Sequence, residues 1–165
     1  MLQKVVCDDT IAALVYQSVK EETKRLGGAA MQTEGMQCNG VQSECEYNMN
    51  TLDTHLFSWI DWDFSMDDGA KAVSWARTYA PAVAGVPLNM SFDPQTKDFN
   101  FCFEPDLAIQ APTEIFASRN YSYPNGFSVS TSGNTTFSIV GDKVLVIPSS
   151  DSGNEDVCVH IVHKD

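Results

Sequence analysis

The first part of the chain alternates helical and strand-like patterns of hydrophobic residues. Residues 8–26 repeat apolar side chains at a spacing close to 3.6 residues, which predicts an amphipathic helix. Two short runs of small and apolar residues, 28–34 and 56–62, are typical of buried parallel strands. Further helices are predicted near residues 48–54 and over residues 67–77. This alternation of helix and strand indicates an α/β fold.

From residue 81 onward the pattern becomes that of short strands. Apolar and polar residues alternate with a period of two, and turn sequences such as Pro124-Asn125-Gly126 separate the segments. Strands are predicted over residues 88–92, 99–103, 113–117, 127–131, 136–140, 143–147 and 156–163. The core is expected to contain Phe92, Phe99, Phe101, Phe103, Phe116, Phe127 and Phe137. Short strands without helices favour a small antiparallel β-sandwich. We therefore expect an α/β unit over residues 1–80 and a sandwich over residues 81–165.

Composition restricts the partners of the protein. The formal net charge of −12 argues against a nucleic acid or an anionic membrane, because an acidic surface repels both. No stretch is apolar over the roughly 18 residues that a membrane span needs. The first residues lack the basic segment and apolar core of a signal peptide.

The asparagines of three glycosylation sequons point to the secretory pathway. These sequons begin at Asn89, Asn120 and Asn134, in the turn-rich second part of the chain. We therefore expect a secreted or lysosomal protein whose signal peptide lies upstream of this sequence. The five cysteines include no CxxC pair, so a zinc site is not expected.

The positions of the cysteines suggest two candidate disulfides. Cys102 lies in the predicted strand 99–103, on the face opposite its phenylalanines, and a disulfide to Cys158 in the last strand would join neighbouring strands. The alternative is that the two are separate free thiols. Cys38 and Cys45 flank a polar loop and form the second candidate pair.

A carboxylate closes the first predicted strand. Glu34 stands at its C-terminal end, where α/β barrels keep their catalytic groups. The second strand ends in Trp59 and Trp62, and a carboxylate beside an aromatic platform is typical of a site that cleaves sugars. The alternatives are that Glu34 is a solvated loop carboxylate and that the tryptophans fill a core. Because positions 59 and 62 point to opposite faces of a strand, we expect Trp62 to face the ligand and Trp59 the helices.

Several short runs, taken in order, resemble one family. They are Thr33-Glu34-Gly35, Ser58-Trp59-Ile60-Asp61-Trp62, Arg77-Thr78-Tyr79-Ala80-Pro81-Ala82-Val83-Ala84-Gly85-Val86-Pro87, Ser91-Phe92-Asp93-Pro94, Ala111-Pro112-Thr113-Glu114-Ile115-Phe116 and Tyr123-Pro124-Asn125-Gly126-Phe127. Together they are similar to the C-terminal part of endoglycoceramidases, which belong to family 5 of the glycoside hydrolases. The resemblance implies the last two strands of a (β/α)8 TIM barrel, strands seven and eight, followed by the sandwich. The N-terminal part of the barrel would then lie upstream.

The resemblance also implies catalytic roles. Members of the family are retaining enzymes with two glutamates, and Glu34 matches the position of the nucleophile. The phenylalanine that follows the nucleophile in the family is absent, because Gly35 comes next. The acid/base glutamate lies in an Asn-Glu-Pro context, and this sequence contains none. Asp61 and Asp63 could flank the site, although neither matches that context. Since retaining hydrolysis needs two carboxyl groups about 5–5.5 Å apart, this segment alone is expected to be inactive.

The implied substrate is a glycosphingolipid, cleaved between its oligosaccharide and ceramide, or another β-glucoside. No metal or organic cofactor is expected, and the sandwich would help to present the glycolipid near a membrane surface. Two alternatives stay open. In the first alternative, the chain is a non-catalytic half-barrel and sandwich that binds glycans or lipids. In the second, it is a truncated gene product without a stable fold of its own.

Overall fold

A computed structural model describes residues 9–34, 42–60, 75–150 and 155–164. The remaining residues include most of the helix predicted over 67–77, which lies outside the described residues. Within the described ranges the chain forms a small α/β part followed by a sandwich of two antiparallel sheets.

Among the described residues, the α/β part comprises two helices and a two-stranded parallel sheet. Helix α1 spans Asp9–Leu26 and helix α2 spans Gln42–His55, while strand β1 is Met31–Gln32 and strand β2 is Ser58–Trp59. The two strands pair in parallel, with the first residue of β1 opposite the first residue of β2. The predicted order of helix, strand, helix and strand is therefore confirmed.

One face of α2 forms the core of this part. Cys45, Met49 and Leu52 recur at intervals of three to four residues and are buried together with Phe57. The ring of Tyr16 on α1 packs edge-on against Phe57, at 5.8 Å between centroids. This aromatic contact links α1 to the buried face of α2.

The apolar side of α1 remains exposed. Leu14 is 64% exposed and Leu26 is 73% exposed, and Val15 and Val19 are also open to solvent. The hydrophobic spacing predicted the helix correctly, but the other described elements of the α/β part, α2, β1 and β2, do not cover its apolar stripe.

In residues 75–150 and 155–164, the sandwich has eight strands in two four-stranded sheets. Its strands are β3 (Tyr79–Ala82), β4 (Gly85–Phe92), β5 (Phe99–Pro105), β6 (Thr113–Phe116), β7 (Phe127–Thr131), β8 (Thr135–Val140), β9 (Lys143–Pro148) and β10 (Val157–His163). One sheet has the order β4-β5-β10-β7 and the other β3-β6-β9-β8. The described pairs between these strands are all antiparallel.

Strand β3 was not predicted from the sequence. It contains Pro81, which lacks an amide donor and is tolerated at the edge of a sheet, where β3 lies. The chain passes from β3 to β4, and so from one sheet to the other, at Gly85. Its φ of 150° and its close approach to the Glu104 carbonyl leave no room for a side chain.

Alternating residues from both sheets fill the core. Phe99, Phe101 and Phe103 are at most 1% exposed, and their rings stack in a row with centroids 6.4 and 5.6 Å apart. They face buried residues of the second sheet, among them Val144 and Val146. The alternation of phenylalanines in β5 therefore predicted the inward face of this strand correctly.

Two of the phenylalanines expected in the core lie elsewhere. Phe137 is 42% exposed, so its placement in the core was wrong. It belongs to β8, the edge strand of its sheet, whose side chains are almost all exposed. Phe116 is half-buried on the outer face and packs against Tyr79 at 5.6 Å between ring centroids.

Candidate active site

Glu34 lies just beyond the end of β1, with an exposed side chain. The amide of Ile60, after β2, donates to the carbonyl oxygen of Gln32 at 2.9 Å, so the two strand ends lie side by side. The Tyr16 hydroxyl donates to Gln32 Oε1 at 3.2 Å and ties α1 to the same strand. The structure thus places Glu34 at the carboxyl edge of a parallel pair, where barrel enzymes carry catalytic groups. Its role as nucleophile stays a prediction.

Of the two tryptophans of the predicted platform, Trp59 lies within the described residues. Trp59 lies opposite Gln32 and is half-buried, and its indole hydrogen-bonds to Asp53 of α2. Its side chain therefore points toward the helices, which is the direction expected from the strand alternation. Trp62, together with Asp61 and Asp63, lies outside the described residues, so the sugar-facing platform stays a prediction.

A buried ion pair joins the α/β part to the sandwich. Arg77 Nε and Nη2 donate to Asp53 Oδ2 at 3.0 and 2.7 Å. Arg77 Nη2 also donates to Asn50 Oδ1 at 2.6 Å and to the carbonyl oxygen of Phe92 at 3.1 Å. The side chain of Arg77 is 2% exposed and that of Asp53 is 4% exposed. Arg77 therefore holds two turns of α2 and the last residue of β4 at once.

The electrostatics of this pair reflect its burial. Desolvation raises the pKa of the Asp53 carboxyl above its ordinary value, while the charge and hydrogen bonds of Arg77 and the hydrogen bond from Trp59 oppose that rise. Asp53 is held by these donors inside the protein. The pair is a structural joint, and its carboxyl is too enclosed to reach a substrate.

A network of aromatic and polar groups extends from the pair into the sandwich. The Arg77 guanidinium lies 5.1 Å from the centre of the Phe92 ring, and the Lys97 ammonium lies 5.9 Å from it. The Tyr123 hydroxyl accepts a hydrogen bond from Thr78 Oγ1 at 3.0 Å and donates to the Lys97 carbonyl at 2.9 Å. Burial raises the pKa of Tyr123 to about 12. We call these linked residues the junction network: Asp53, Arg77, Thr78, Phe92, Lys97 and Tyr123.

Sequence reasoning did not find the junction network. Its central pair is separated by 24 residues, and no local periodicity links a carboxylate in a helix with an arginine before a strand. The available signal was the run that begins at Arg77, which carries part of the family resemblance.

The cysteines of the sandwich form a disulfide. Cys102 in β5 lies directly opposite Cys158 in β10, and the two are bonded with their Cα atoms 4.1 Å apart. Cys45 is also disulfide-bonded, while Cys38 lies outside the described residues.

The sequon asparagines Asn89, Asn120 and Asn134 are all exposed, as a glycan would require. His55 Nδ1 donates a hydrogen bond to the Thr51 carbonyl oxygen at 2.8 Å in the last turn of α2, and His160 and His163 are half-buried in β10.

Two further features concern metals and membranes. In the part of the chain that the structure describes, no three histidine, cysteine or acidic side chains come together as metal ligands would. Neither of the two described helices is both long and apolar enough to cross a membrane.

Comparison with known proteins places these elements in a family. Residues 77–161 match the glycoside hydrolase family 5 C-terminal domain. Endoglycoceramidase I of Rhodococcus hoagii is 34% identical over 113 residues, which are 63% of this chain and 23% of that protein. The chain thus spans about a quarter of the length of this curated relative.

Solved structures share the fold. Endo-glycoceramidase II from Rhodococcus sp., in its lactosyl-enzyme intermediate, superposes with a TM-score of 0.71 at 19% identity, over 94% of this chain and 39% of that one. Its ganglioside GM3 complex gives 0.70 at 20% identity, over 94% and 38%. Cryptococcus neoformans sterylglucosidase 1 gives 0.59 at 16% identity, over 74% and 24%. The expected fold class, the C-terminal part of a TIM barrel followed by an antiparallel sandwich, is confirmed.

Proposed function

Because this chain belongs to glycoside hydrolase family 5, whose C-terminal domain occupies residues 77–161, we propose that it is the C-terminal part of a retaining glycosidase. The bond cleaved is the β-glycosidic bond between the oligosaccharide and the ceramide of a glycosphingolipid. The observation that carries this proposal is the position of Glu34 at the carboxyl edge of the parallel pair β1–β2.

The proposed chemistry assigns Glu34 one step. Its carboxylate attacks the anomeric carbon and forms a covalent glycosyl-enzyme, while a second carboxylic acid protonates the departing ceramide oxygen. Water then cleaves the glycosyl ester, and Glu34 is regenerated as a carboxylate. The exposure of Glu34 supports this role because a nucleophile must reach the sugar.

The proposed substrate class rests on the relatives. One of them, endo-glycoceramidase II, has solved structures of its lactosyl-enzyme intermediate and of its complex with ganglioside GM3. Those states belong to that protein. They support a glycosphingolipid as the substrate here, because the two chains share the fold around the strand end that carries Glu34.

This segment alone is proposed to be inactive. The sequence has no Asn-Glu-Pro run to supply the acid, and general acid help is worth about 10²–10⁴-fold in rate. The purified chain would be incubated with a fluorescent ganglioside and the release of oligosaccharide followed. Release that disappears in Glu34→Gln would refute the inactivity, and it would at the same time support Glu34 as the nucleophile.

The assignment of Glu34 is tested in a full-length protein that contains this segment. Glu34→Ala should abolish nearly all turnover, and azide should restore it by attacking from the vacated side to give an inverted glycosyl azide. Glu104→Ala, an exposed carboxylate of β5, is the matched control and should turn over normally. Normal turnover in Glu34→Ala would exclude Glu34 as the nucleophile.

The protein is further proposed to pass through the secretory pathway. The exposure of all three sequon asparagines and the disulfide between Cys102 and Cys158 support an oxidising compartment. Treatment of protein from a eukaryotic host with a peptide N-glycosidase should lower its mass. An unchanged mass would contradict the proposal.

A further inference from the structure

One sheet of the sandwich ends in an apolar edge strand. Strand β8 pairs with β9 on one side, and no described strand pairs with its other side. Phe137 is 42% exposed, Ile139 is 40% exposed and Val140 is 60% exposed. A segment of six residues that is rich in β-branched and aromatic side chains, without charge, proline or glycine, can pair with the same segment of another chain.

The other edge strands of the two described sheets carry features that oppose such pairing. β3 contains Pro81 and β4 contains Pro87, and neither proline has an amide to donate to a new neighbour. The pairing of β4 with β5 also shifts in register between Pro87 and Asn89, as at a bulge. β7 exposes Ser128 and Ser130 rather than large apolar side chains. The six residues of β8 contain none of these features, and their register with β9 runs without a shift.

A glycosylation sequon lies at the start of β8. It begins at Asn134, one residue before the strand, and Asn134 is exposed. The Asn134 carbonyl oxygen accepts a hydrogen bond from the Ser149 amide at 2.8 Å. Asn134 therefore continues the pairing of β8 with β9 by one residue, and a glycan attached to it would start from the edge strand itself.

The turn before β8 brings a second edge strand to the same place. β7 ends at Thr131 and β8 begins at Thr135, and the Thr135 hydroxyl donates to Thr131 Oγ1 at 2.7 Å. Gly133, between them, has a φ of 69°, which suits a tight turn. The edge strands β7 and β8, one from each sheet, therefore meet beside Asn134.

The geometry of strand pairing decides what a glycan at this position would block. A second strand must lie about 4.8 Å from β8 to pair with it, and the six residues of β8 extend over roughly 20 Å. Such a strand would reach the corner at Asn134, where a bulky hydrophilic oligosaccharide would occupy the space. The net charge of −12 gives little protection at this distance, because salt at physiological strength screens exposed charges beyond about 8 Å.

From these observations we propose that an N-linked glycan at Asn134 shields the free edge of β8 and prevents two copies of the protein from pairing through it. The inference rests on the proposed passage through the secretory pathway, where such glycans are added. It is independent of the proposed cleavage reaction and of the role of Glu34.

Two substitutions at Thr136 test this proposal, because only one of them keeps the sequon. Thr136→Ser leaves an Asn-Thr-Ser sequon and hence the glycan, whereas Thr136→Ala removes it. A full-length protein that contains this segment would be secreted from a eukaryotic host and examined by sedimentation velocity over a range of concentrations. Thr136→Ala should associate at concentrations at least tenfold lower than Thr136→Ser does. Asn134→Gln, which removes the glycan by a different substitution, should behave like Thr136→Ala.

A lysine on the edge strand shows whether the association uses β8. Ser138 is exposed in the middle of β8, and Ser138→Lys should return Thr136→Ala to the monomeric state, because a charged side chain on an edge opposes pairing. Ser91→Lys, at an exposed position of the edge strand β4, is the matched control and should leave the association of Thr136→Ala unchanged. Association that persists with Ser138→Lys would overturn the assignment to β8.

Mapping of the glycopeptides separates this proposal from the one on which it rests. A glycan on Asn120 with none on Asn134 would overturn the role of Asn134 and leave the secretory proposal intact. Three unmodified asparagines, Asn89, Asn120 and Asn134, would contradict both proposals. Equal association of Thr136→Ala and a glycosylated Thr136→Ser would overturn the shielding alone.

Discussion

Replacing Arg77 by methionine should destabilise the protein more than any surface substitution. The change keeps a side chain of similar length but removes the guanidinium that joins Asp53, Asn50 and the Phe92 carbonyl. Asp53 would remain buried without its partner. Breaking a buried pair in this way costs about 3–5 kcal/mol, because the remaining charge has lost its hydration and gained nothing in return.

The double variant Asp53→Leu with Arg77→Met distinguishes the cost of leaving one buried charge unpaired from the effect of losing the ion pair as a whole. Removing both charges leaves no isolated ion, so most of the loss should be recovered. The two single variants and the double variant form a cycle that yields the coupling energy. Arg25→Met is the control, because Arg25 pairs with Glu22 on the surface, where both side chains are at least 60% exposed. It should cause no measurable change.

The free energy of unfolding would be measured by denaturant titration at several pH values. Without Arg77, the pKa of Asp53 in the folded protein rises further, because the interaction that opposed burial is gone. A raised carboxyl pKa leaves stability intact below the unfolded value and removes it as pH rises through the folded value. The deficit of Arg77→Met should therefore grow with pH. A loss below about 1 kcal/mol, or a double variant no more stable than the single one, would refute the reasoning.

Three further predictions concern the sandwich. Burial raises the pKa of Tyr123 to about 12, so the unfolded chain loses this phenol proton before the folded protein does, and the free energy of unfolding should fall by about 3 kcal/mol as pH rises from 10 to 12. In Tyr123→Phe, denaturant unfolding at several pH values should not show this fall. Reducing the disulfide between Cys102 and Cys158, 56 residues apart, should lower stability by about 4 kcal/mol, and recovery of both as alkylated single peptides in non-reducing mapping would refute the pairing. Phe101→Ala should cost about 3–5 kcal/mol and Phe137→Ala far less; equal losses in denaturant unfolding would contradict the burial described here.

The strands of the sandwich were predictable because their signals are local. Alternation and turn residues gave 99–103 and 143–147, and the structure has Phe99–Pro105 and Lys143–Pro148. The same alternation misplaced Phe137, because a period of two does not distinguish a central strand from an edge strand.

The position of Glu34 was also predictable, because it depends on the end of one short strand. The junction network was not, since it joins Asp53 to Arg77 across 24 residues and appears only when α2 meets β4. In the sequence, a helix carboxylate that becomes buried cannot be distinguished from one that stays on the surface.

The junction network makes the sandwich part of the architecture that supports the strand end beside Glu34. Arg77 is the first residue of the family domain, yet its main partners, Asn50 and Asp53, lie on the helix between β1 and β2. A domain attached only by a linker would move freely, whereas a buried charged pair with a cation–π contact fixes its orientation. Because the same helix lies between β1, which ends just before Glu34, and β2, loosening Arg77 should displace the strand ends beside Glu34 as well as the sandwich.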